Sequence, residues 1–80
     1  MNEVVGLLTE LVVLCASFPA GVADWSAHKP RVEWVLKNLQ AGLPVDLDLY
    51  RLSVDLSQET GSDPDRRRVV GRLCELVSRP

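Results

Sequence analysis

Proline and glycine divide this 80-residue chain into four segments, and the apolar residues of each segment can be placed at helical spacing. The first segment, residues 2–17, begins with Asn2 as a predicted N-cap and ends before Pro19 and Gly21. Its apolar residues cover almost the full circumference, which is typical of a helix that packs on several sides. They are Val4, Val5, Leu7, Leu8, Leu11, Val12, Val13, Leu14, Cys15 and Phe18.

The second segment contains a short turn followed by a helix. Asp24 is placed to cap one turn over residues 25–29, and Pro30 begins the helix, because proline is tolerated at the first helical position. The apolar spacing predicts that this helix extends to Ala41, with Gly42 as its C′ residue. The stripe consists of Val32, Val35, Leu36 and Leu39.

Residues 45–60 admit two interpretations. Apolar and polar residues alternate in each half of the segment, as in a half-buried strand. A helix is favoured because the alternation breaks at Tyr50 without a hairpin turn, and because Asp46 and Gly61 suit the N-cap and C′ positions. Two apolar faces lie on opposite sides of that helix, so we expect it to pack between two neighbours. One face is Leu47, Tyr50 and Val54, and the other is Leu49, Leu52 and Leu56.

The last segment has the clearest helix signals. Asp63 is a predicted N-cap, followed by Pro64 at the first helical position and Asp65 in the first turn. Gly71 interrupts the apolar stripe, and we expect it to admit a close neighbouring helix. The stripe is Val69, Val70, Leu73, Cys74, Leu76 and Val77. These segments predict an all-α fold, a compact bundle of four to five short helices that forms one domain over residues 1–80.

The composition excludes several classes of protein. The hydrophobic fraction of 46% is that of a globular chain, and two cysteines are too few for a disulfide framework. Glu3 and Glu10 interrupt the N-terminal apolar run, which is therefore a poor signal peptide and too charged to span a bilayer. We expect a soluble, cytoplasmic domain in which Cys15 and Cys74 are free thiols on buried helical stripes.

The sequence offers little chemistry for catalysis or metal binding. It has one histidine, His28, and no motif with the spacing of a zinc, calcium or phosphate site. Asp24, Ser26 and His28 lie close together, but a short turn supplies no scaffold for a catalytic triad. We therefore predict no enzyme activity, no metal and no cofactor.

Charge is divided unevenly along the chain. Residues 1–60 carry eight acidic and four basic side chains, a net charge of −4, whereas residues 61–80 carry three acids and five bases, a net charge of +2. Two explanations stay open: solvated faces that pair within the molecule, or a basic face of one copy that meets the acidic face of another. The basic set is Arg66, Arg67, Arg68 and Arg72, and the acidic set is Asp46, Asp48, Asp55 and Glu59.

The two tryptophans also have two interpretations. Trp34 lies beside the apolar stripe of its helix and Trp25 lies in a loop, so both suit the edge of a core. Tryptophan is also enriched among the residues that dominate binding at interfaces, which makes Trp34 a candidate partner anchor.

Six short stretches follow one another in an order that is similar to a known family. They are Leu7-Leu8-Thr9-Glu10-Leu11-Val12, Arg31-Val32-Glu33-Trp34-Val35-Leu36, Gly42-Leu43-Pro44, Leu49-Tyr50-Arg51-Leu52, Glu59-Thr60-Gly61-Ser62 and Leu73-Cys74-Glu75-Leu76-Val77. This order resembles the small bacterial effector-associated domains, which are grouped with death-like adaptor domains. The resemblance implies a death-like bundle without catalytic residues, which couples a sensor to an effector protease or NTPase by pairing with a matching domain.

Two other functions stay open. A small phage or bacterial regulatory protein that inhibits a host enzyme would have the same size and composition. Nucleic-acid binding is weaker, because the domain is acidic overall and its arginines are not interleaved with aromatic residues.

Overall fold

The computed structural model describes residues 2–17, 20–21 and 23–78, which form four α-helices and one 3-10 turn. No strand occurs among these residues, so the helical interpretation of 45–56 and the all-α bundle are confirmed. None of the helices in the described ranges has the length and hydrophobicity that a membrane crossing requires. The helices are α1 (Glu3–Cys15), α2 (Lys29–Gln40), α3 (Asp46–Ser57) and α4 (Pro64–Val77), and the 3-10 turn is Ser26–His28.

The four helices form a closed ring around one core. Each helix contacts the next one in the chain, and α4 contacts α1. Within the described residues, α1 does not contact α3 and α2 does not contact α4. The outer faces of α1 and α3 therefore lie on opposite sides of the bundle. The core consists of Leu7, Leu8, Leu11, Cys15, Trp25, Val32, Val35, Val45, Leu49, Leu52, Leu56, Val69, Val70 and Leu73.

Side-chain caps begin the structured segments at the predicted residues. The side chains of Asn2 and Asp24 each accept a hydrogen bond from the backbone N–H two residues later, at 2.9 and 2.8 Å. The Asp63 side chain accepts a hydrogen bond from the backbone N–H of Arg66 at 3.3 Å. The hydrogen bond from the backbone holds the pKa of the Asp24 carboxyl below its usual value.

The C-terminus of α2 also follows the sequence signal. Gly42 has a φ of 78°, the left-handed conformation that glycine adopts without strain. The Gly42 N–H donates to the Leu39 carbonyl oxygen at 3.1 Å, and the Leu43 N–H donates to the Asn38 carbonyl oxygen at 3.0 Å. This is the Schellman pattern, and it satisfies two carbonyl groups that the helix end leaves without partners.

The ends of α3 differ from the prediction. Val45, not Asp46, is the N-cap: its carbonyl oxygen accepts a hydrogen bond from Leu49 N–H at 2.8 Å. The Val45 side chain is buried in the core, which fixes where the chain enters the helix, while Asp46 lies in the first turn. The helix ends at Ser57, so Gly61, with a φ of 56°, serves the turn before α4 instead of the C′ position.

Only one face of α3 is buried. Leu47 and Tyr50 are 59% and 50% exposed, and Val54 is half-buried. The prediction that this helix packs between two opposite neighbours is therefore wrong, because α2 and α4 both contact its inner side. That inner side carries Leu49, Leu52 and Leu56.

Gly71 does not admit a neighbouring helix. It is exposed on α4, and a Cβ atom added there would meet no other atom within 4 Å. The expectation of a close helix contact at this position is wrong.

Gly71→Ala is therefore expected to raise the free energy of unfolding by about 1 kcal/mol, because alanine loses less backbone freedom than glycine in a helix. Urea unfolding followed by circular dichroism measures the change. Gly42→Ala is the matched control, and its positive φ predicts destabilisation. An unchanged or lowered stability of Gly71→Ala would contradict this account of the α4 surface.

Candidate interaction surfaces

Arg66 lies in the protein interior, although it belongs to the predicted basic face. Its side chain is completely buried. The guanidinium lies 4.1 Å from the centroid of the Trp25 ring, a cation–π contact. It donates hydrogen bonds to the backbone carbonyl oxygens of Ala23 at 2.6 Å and Ser17 at 3.3 Å. The prediction that Arg66 contacts a partner is therefore wrong.

These contacts connect the backbone of Ser17 and Ala23 to the first turn of α4. The charge of Arg66 is compensated by Asp63, whose carboxylate oxygen lies 3.7 Å from the Arg66 Nε atom. Two buried nitrogens, Arg66 Nε and Trp25 Nε1, have no hydrogen-bond partner in the described part of the chain. Arg66 is thus a structural residue that holds a loop, not a surface residue.

The sequence contains a signal for the position of Arg66. It precedes Val69, Val70 and Leu73 by three, four and seven residues, which places it on the apolar stripe of α4. Arg67 shares that spacing only in part, with Val70 and Cys74 three and seven residues later, and Arg68 does not share it. The run of three arginines conceals this difference unless each residue is placed on the helix separately.

The other two arginines of the predicted basic face, Arg68 and Arg72, are paired with α1. Arg68 donates to a Glu10 carboxylate oxygen at 3.0 Å, and Arg72 donates to both carboxylate oxygens of Glu3 at 2.6 and 2.9 Å. Arg72 also donates to Glu75 at 3.1 Å. The hydrogen bonds to Glu10 and Glu3 raise the pKa of both guanidinium groups. Basic and acidic residues therefore do pair within the molecule, but α4 pairs with α1 and not with α3.

Two of the four predicted acidic residues are also paired within the molecule. Asp55 accepts a hydrogen bond from Arg31 of α2 at 2.6 Å. A Glu59 carboxylate oxygen lies 2.7 Å from His28 Nε2. These pairs connect α3, and the residues that follow it, to α2 and the 3-10 turn.

Three residues of the predicted charged faces keep unpaired charges at the surface. Arg67 on α4 is exposed, as are Asp46 and Asp48 in the first turn of α3. None of the three forms an ion pair with another described residue. Of the eight predicted charged contact residues, these three are therefore the ones with both exposure and an unsatisfied charge.

The tryptophans lie in opposite environments. Trp25 is completely buried, so its expected place at the edge of the core is wrong: it lies within the core beneath Arg66. Trp34 on α2 is 52% exposed. Its role as a partner anchor stays a prediction.

The outer side of α3 carries a row of apolar side chains, of which Leu47 and Tyr50 are at least half exposed. Leu47, Tyr50 and Val54, which we call the α3 ridge, are spaced by three and four residues and therefore lie above one another on the helix. Asp48 and Arg51 lie within the same turns and are exposed. The ridge is thus an apolar strip with charges of both signs beside it.

A groove of about 390 Å³ lies between α1 and α2. Val13, which is 66% exposed, lies in it. Glu33 and Lys37 lie along its α2 side, and neither forms an ion pair within the described ranges. We call this feature the α1–α2 groove, and its lining is Thr9, Val12, Val13, Glu33, Leu36, Lys37 and Gln40.

The residues considered for catalysis and metal binding take part in local structure. Asp24 caps the N–H of Ser26, whereas His28 contacts Glu59, so the three residues do not form one hydrogen-bonded chain. In the described ranges, no group of three or more histidine, cysteine or carboxylate side chains is placed to hold a metal ion.

The cysteines are free thiols in apolar surroundings. Cys15 is buried, and burial raises the pKa of its thiol. Cys74 is partly buried, and its Sγ donates to the Ser53 carbonyl oxygen at 3.5 Å. Both cysteines lie on the apolar stripes of their helices, as predicted, but only Cys15 is fully buried. A raised thiol pKa is the opposite of what a reactive cysteine requires.

Comparison of the chain with protein-family models, curated proteins and solved structures finds no match.

Proposed function

We propose that this chain is a non-enzymatic interaction domain that pairs with a matching helical domain. The observation that carries the proposal is a set of large apolar side chains that are at least half exposed on an 80-residue protein. Scattered apolar residues are ordinary on a surface, but a row along one helix, as in the α3 ridge, favours a contact site. The set is Val13, Trp34, Leu43, Leu47 and Tyr50.

The charges beside these side chains favour a partner of mixed charge. On both α2 and α3, acidic and basic residues without ion pairs occur together. A partner with the same mixture of charges can pair with both signs, and a second copy of this chain has that mixture. A nucleic acid would need a mainly basic surface. On α4, Arg66, Arg68 and Arg72 are engaged within the protein, which leaves Arg67 as the free cation among the described residues of that helix.

The wider role comes from the sequence resemblance to effector-associated domains. In that role the domain is a cytoplasmic adaptor that couples a sensor to an effector protease or NTPase in bacterial defence or signalling. Pairing between matching domains would bring the attached effectors together. The exposed apolar residues support the pairing step, and the resemblance supports the rest.

Sedimentation velocity of the full chain over a concentration series tests self-pairing. We expect the average sedimentation coefficient to rise with protein concentration below about 1 mM, because a contact formed by a few half-exposed side chains is expected to be small and weak. Trp34→Ala and Arg67→Glu are each expected to shift the association curve to higher concentration, whereas Gln58→Ala, at an exposed polar site, should not. Arg67→Glu leaves the Arg68–Glu10 pair intact, so its effect does not involve that contact.

A wild-type chain that stays monomeric throughout the series would contradict the proposed function. Association that neither Trp34→Ala nor Arg67→Glu weakens would leave self-pairing standing and remove those two residues from the contact.

A further inference from the structure

We infer that the α3 ridge of one copy docks in the α1–α2 groove of a second copy, with α3 antiparallel to the α2 that it meets. This inference rests on the proposed self-pairing and adds to it the two surfaces and their orientation. The ridge and the groove share no residue, so one copy can use both at the same time.

The two surfaces match in shape and polarity. The ridge presents Leu47 and Tyr50, both at least half exposed, one turn apart on a convex helix face. The groove is a concave surface between two helices, where Val12, Val13 and Leu36 supply the apolar lining. An apolar helix face that lies in a groove between two helices is a common mode of recognition.

Charges without ion pairs beside each surface select the orientation. On the α2 side of the groove, Glu33 precedes Lys37 by four residues, about 6 Å along the helix. Beside the ridge, Asp48 precedes Arg51 by three residues, about 4.5 Å. In both surfaces the acidic residue comes first, and in both the two charges are about one helical turn apart.

An antiparallel arrangement brings Lys37 opposite Asp48 and Glu33 opposite Arg51. A parallel arrangement would bring like charges together at both positions, which is unfavourable. The four side chains form no ion pair with the described residues of their own chain, so they are available to a second copy.

The positions of the two surfaces determine the type of assembly. The groove opens between α1 and α2 and the ridge lies on the outer side of α3, which α1 does not contact, so the two surfaces face in different directions. A contact between two different surfaces is heterologous, and it extends into a ring or a filament instead of closing as a two-fold dimer. Blocking one surface on each of two chains should therefore limit the assembly to a heterodimer.

Complementation between two variants tests the inference. Leu47→Glu blocks the ridge and Val13→Glu blocks the groove, and both replace exposed side chains, so circular dichroism should show unchanged folding. We expect each variant alone to stay monomeric where the wild type associates, and an equimolar mixture to form a heterodimer and no larger species. The control is the double variant Val13→Glu, Leu47→Glu mixed with either single variant. Each such mixture contains only one kind of intact surface, the ridge or the groove, so both chains should stay monomeric.

Charge reversal tests the orientation. Lys37→Glu should weaken association by about tenfold or more, because it brings like charges together across the contact. Adding Asp48→Lys on the same chain should restore the association. Strengthened association of Lys37→Glu would show the parallel arrangement and overturn the antiparallel one.

Different results would overturn the ridge-in-groove contact and the proposed self-pairing. If the wild type associates but Leu47→Glu and Val13→Glu do not weaken it, self-pairing survives and the ridge-in-groove contact is wrong. If the wild type does not associate at all, the proposed function fails first.

Discussion

Replacing Arg66 with alanine is expected to lower the free energy of unfolding by about 3–5 kcal/mol, the usual cost of breaking a buried charged contact. The change removes the donors for the carbonyl oxygens of Ala23 and Ser17 and leaves a cavity over Trp25. A protein of this length has a total stability of about 4–12 kcal/mol, so a large part of its stability would be lost.

Urea unfolding followed by circular dichroism measures the effect, and Arg67→Ala is the matched control. Arg67 is the next residue on the same helix, but it is exposed and has no ion pair with another described residue, so its replacement should change the stability by less than about 0.5 kcal/mol. Arg66→Met should cost less than Arg66→Ala, because methionine refills part of the cavity. Equal stabilities of Arg66→Ala and Arg67→Ala would contradict the structural role of Arg66.

Replacing Trp25 with alanine is expected to cost about 3–5 kcal/mol, the range for removing a large aromatic side chain from a core. Trp25 is completely buried although it precedes the 3-10 turn and lies in no helix. Its ring also supports the Arg66 guanidinium. The effects of Trp25→Ala and Arg66→Ala should therefore not add, because each removes the same contact.

Trp34→Ala is the matched control for Trp25→Ala, since it removes the same side chain from an exposed position. We expect Trp34→Ala to alter the urea unfolding midpoint little while it weakens self-association. If Trp34→Ala lost as much stability as Trp25→Ala, this would contradict the finding that Trp25 is buried and Trp34 is exposed.

The helices could be predicted from sequence because their signals are local. Asn2 and Asp63 cap the helices that they precede, and Gly42 ends α2 as its position indicates. At α3 the local signals were less decisive: Asp46 suits an N-cap, but burial of Val45 moves the cap by one residue. A tertiary contact thus overrides a local preference.

The surfaces could be predicted less well, because they depend on which helices become neighbours. Glu3 and Arg72 are 69 residues apart in the chain, and nothing in either segment indicates that α1 and α4 lie side by side. The exposed face of α3 depends on its neighbours in the same way: Leu47 and Tyr50 suit a core by residue type, but both are at least half exposed. Trp25 lies in a loop, where no periodicity indicates burial.

The division of charge along the chain therefore has two consequences. Most of the basic side chains of α4 bond within the molecule, to α1 and to the backbone of Ser17 and Ala23. The charges that have no ion pair within the described structure lie mainly on α2 and α3, beside the groove and the ridge. Our central claim is that these latter surfaces, and not Arg66, Arg68 and Arg72, make the contact between copies.

Two-dimensional ¹H–¹⁵N NMR of the labelled chain over a concentration series tests this claim most directly. We predict concentration-dependent shifts that map to two places: residues around Leu47 and Tyr50 on the α3 ridge, and residues around Val13 and Leu36 in the α1–α2 groove. Spectra that do not change with concentration, or shifts centred on Arg68 and Arg72, would contradict it.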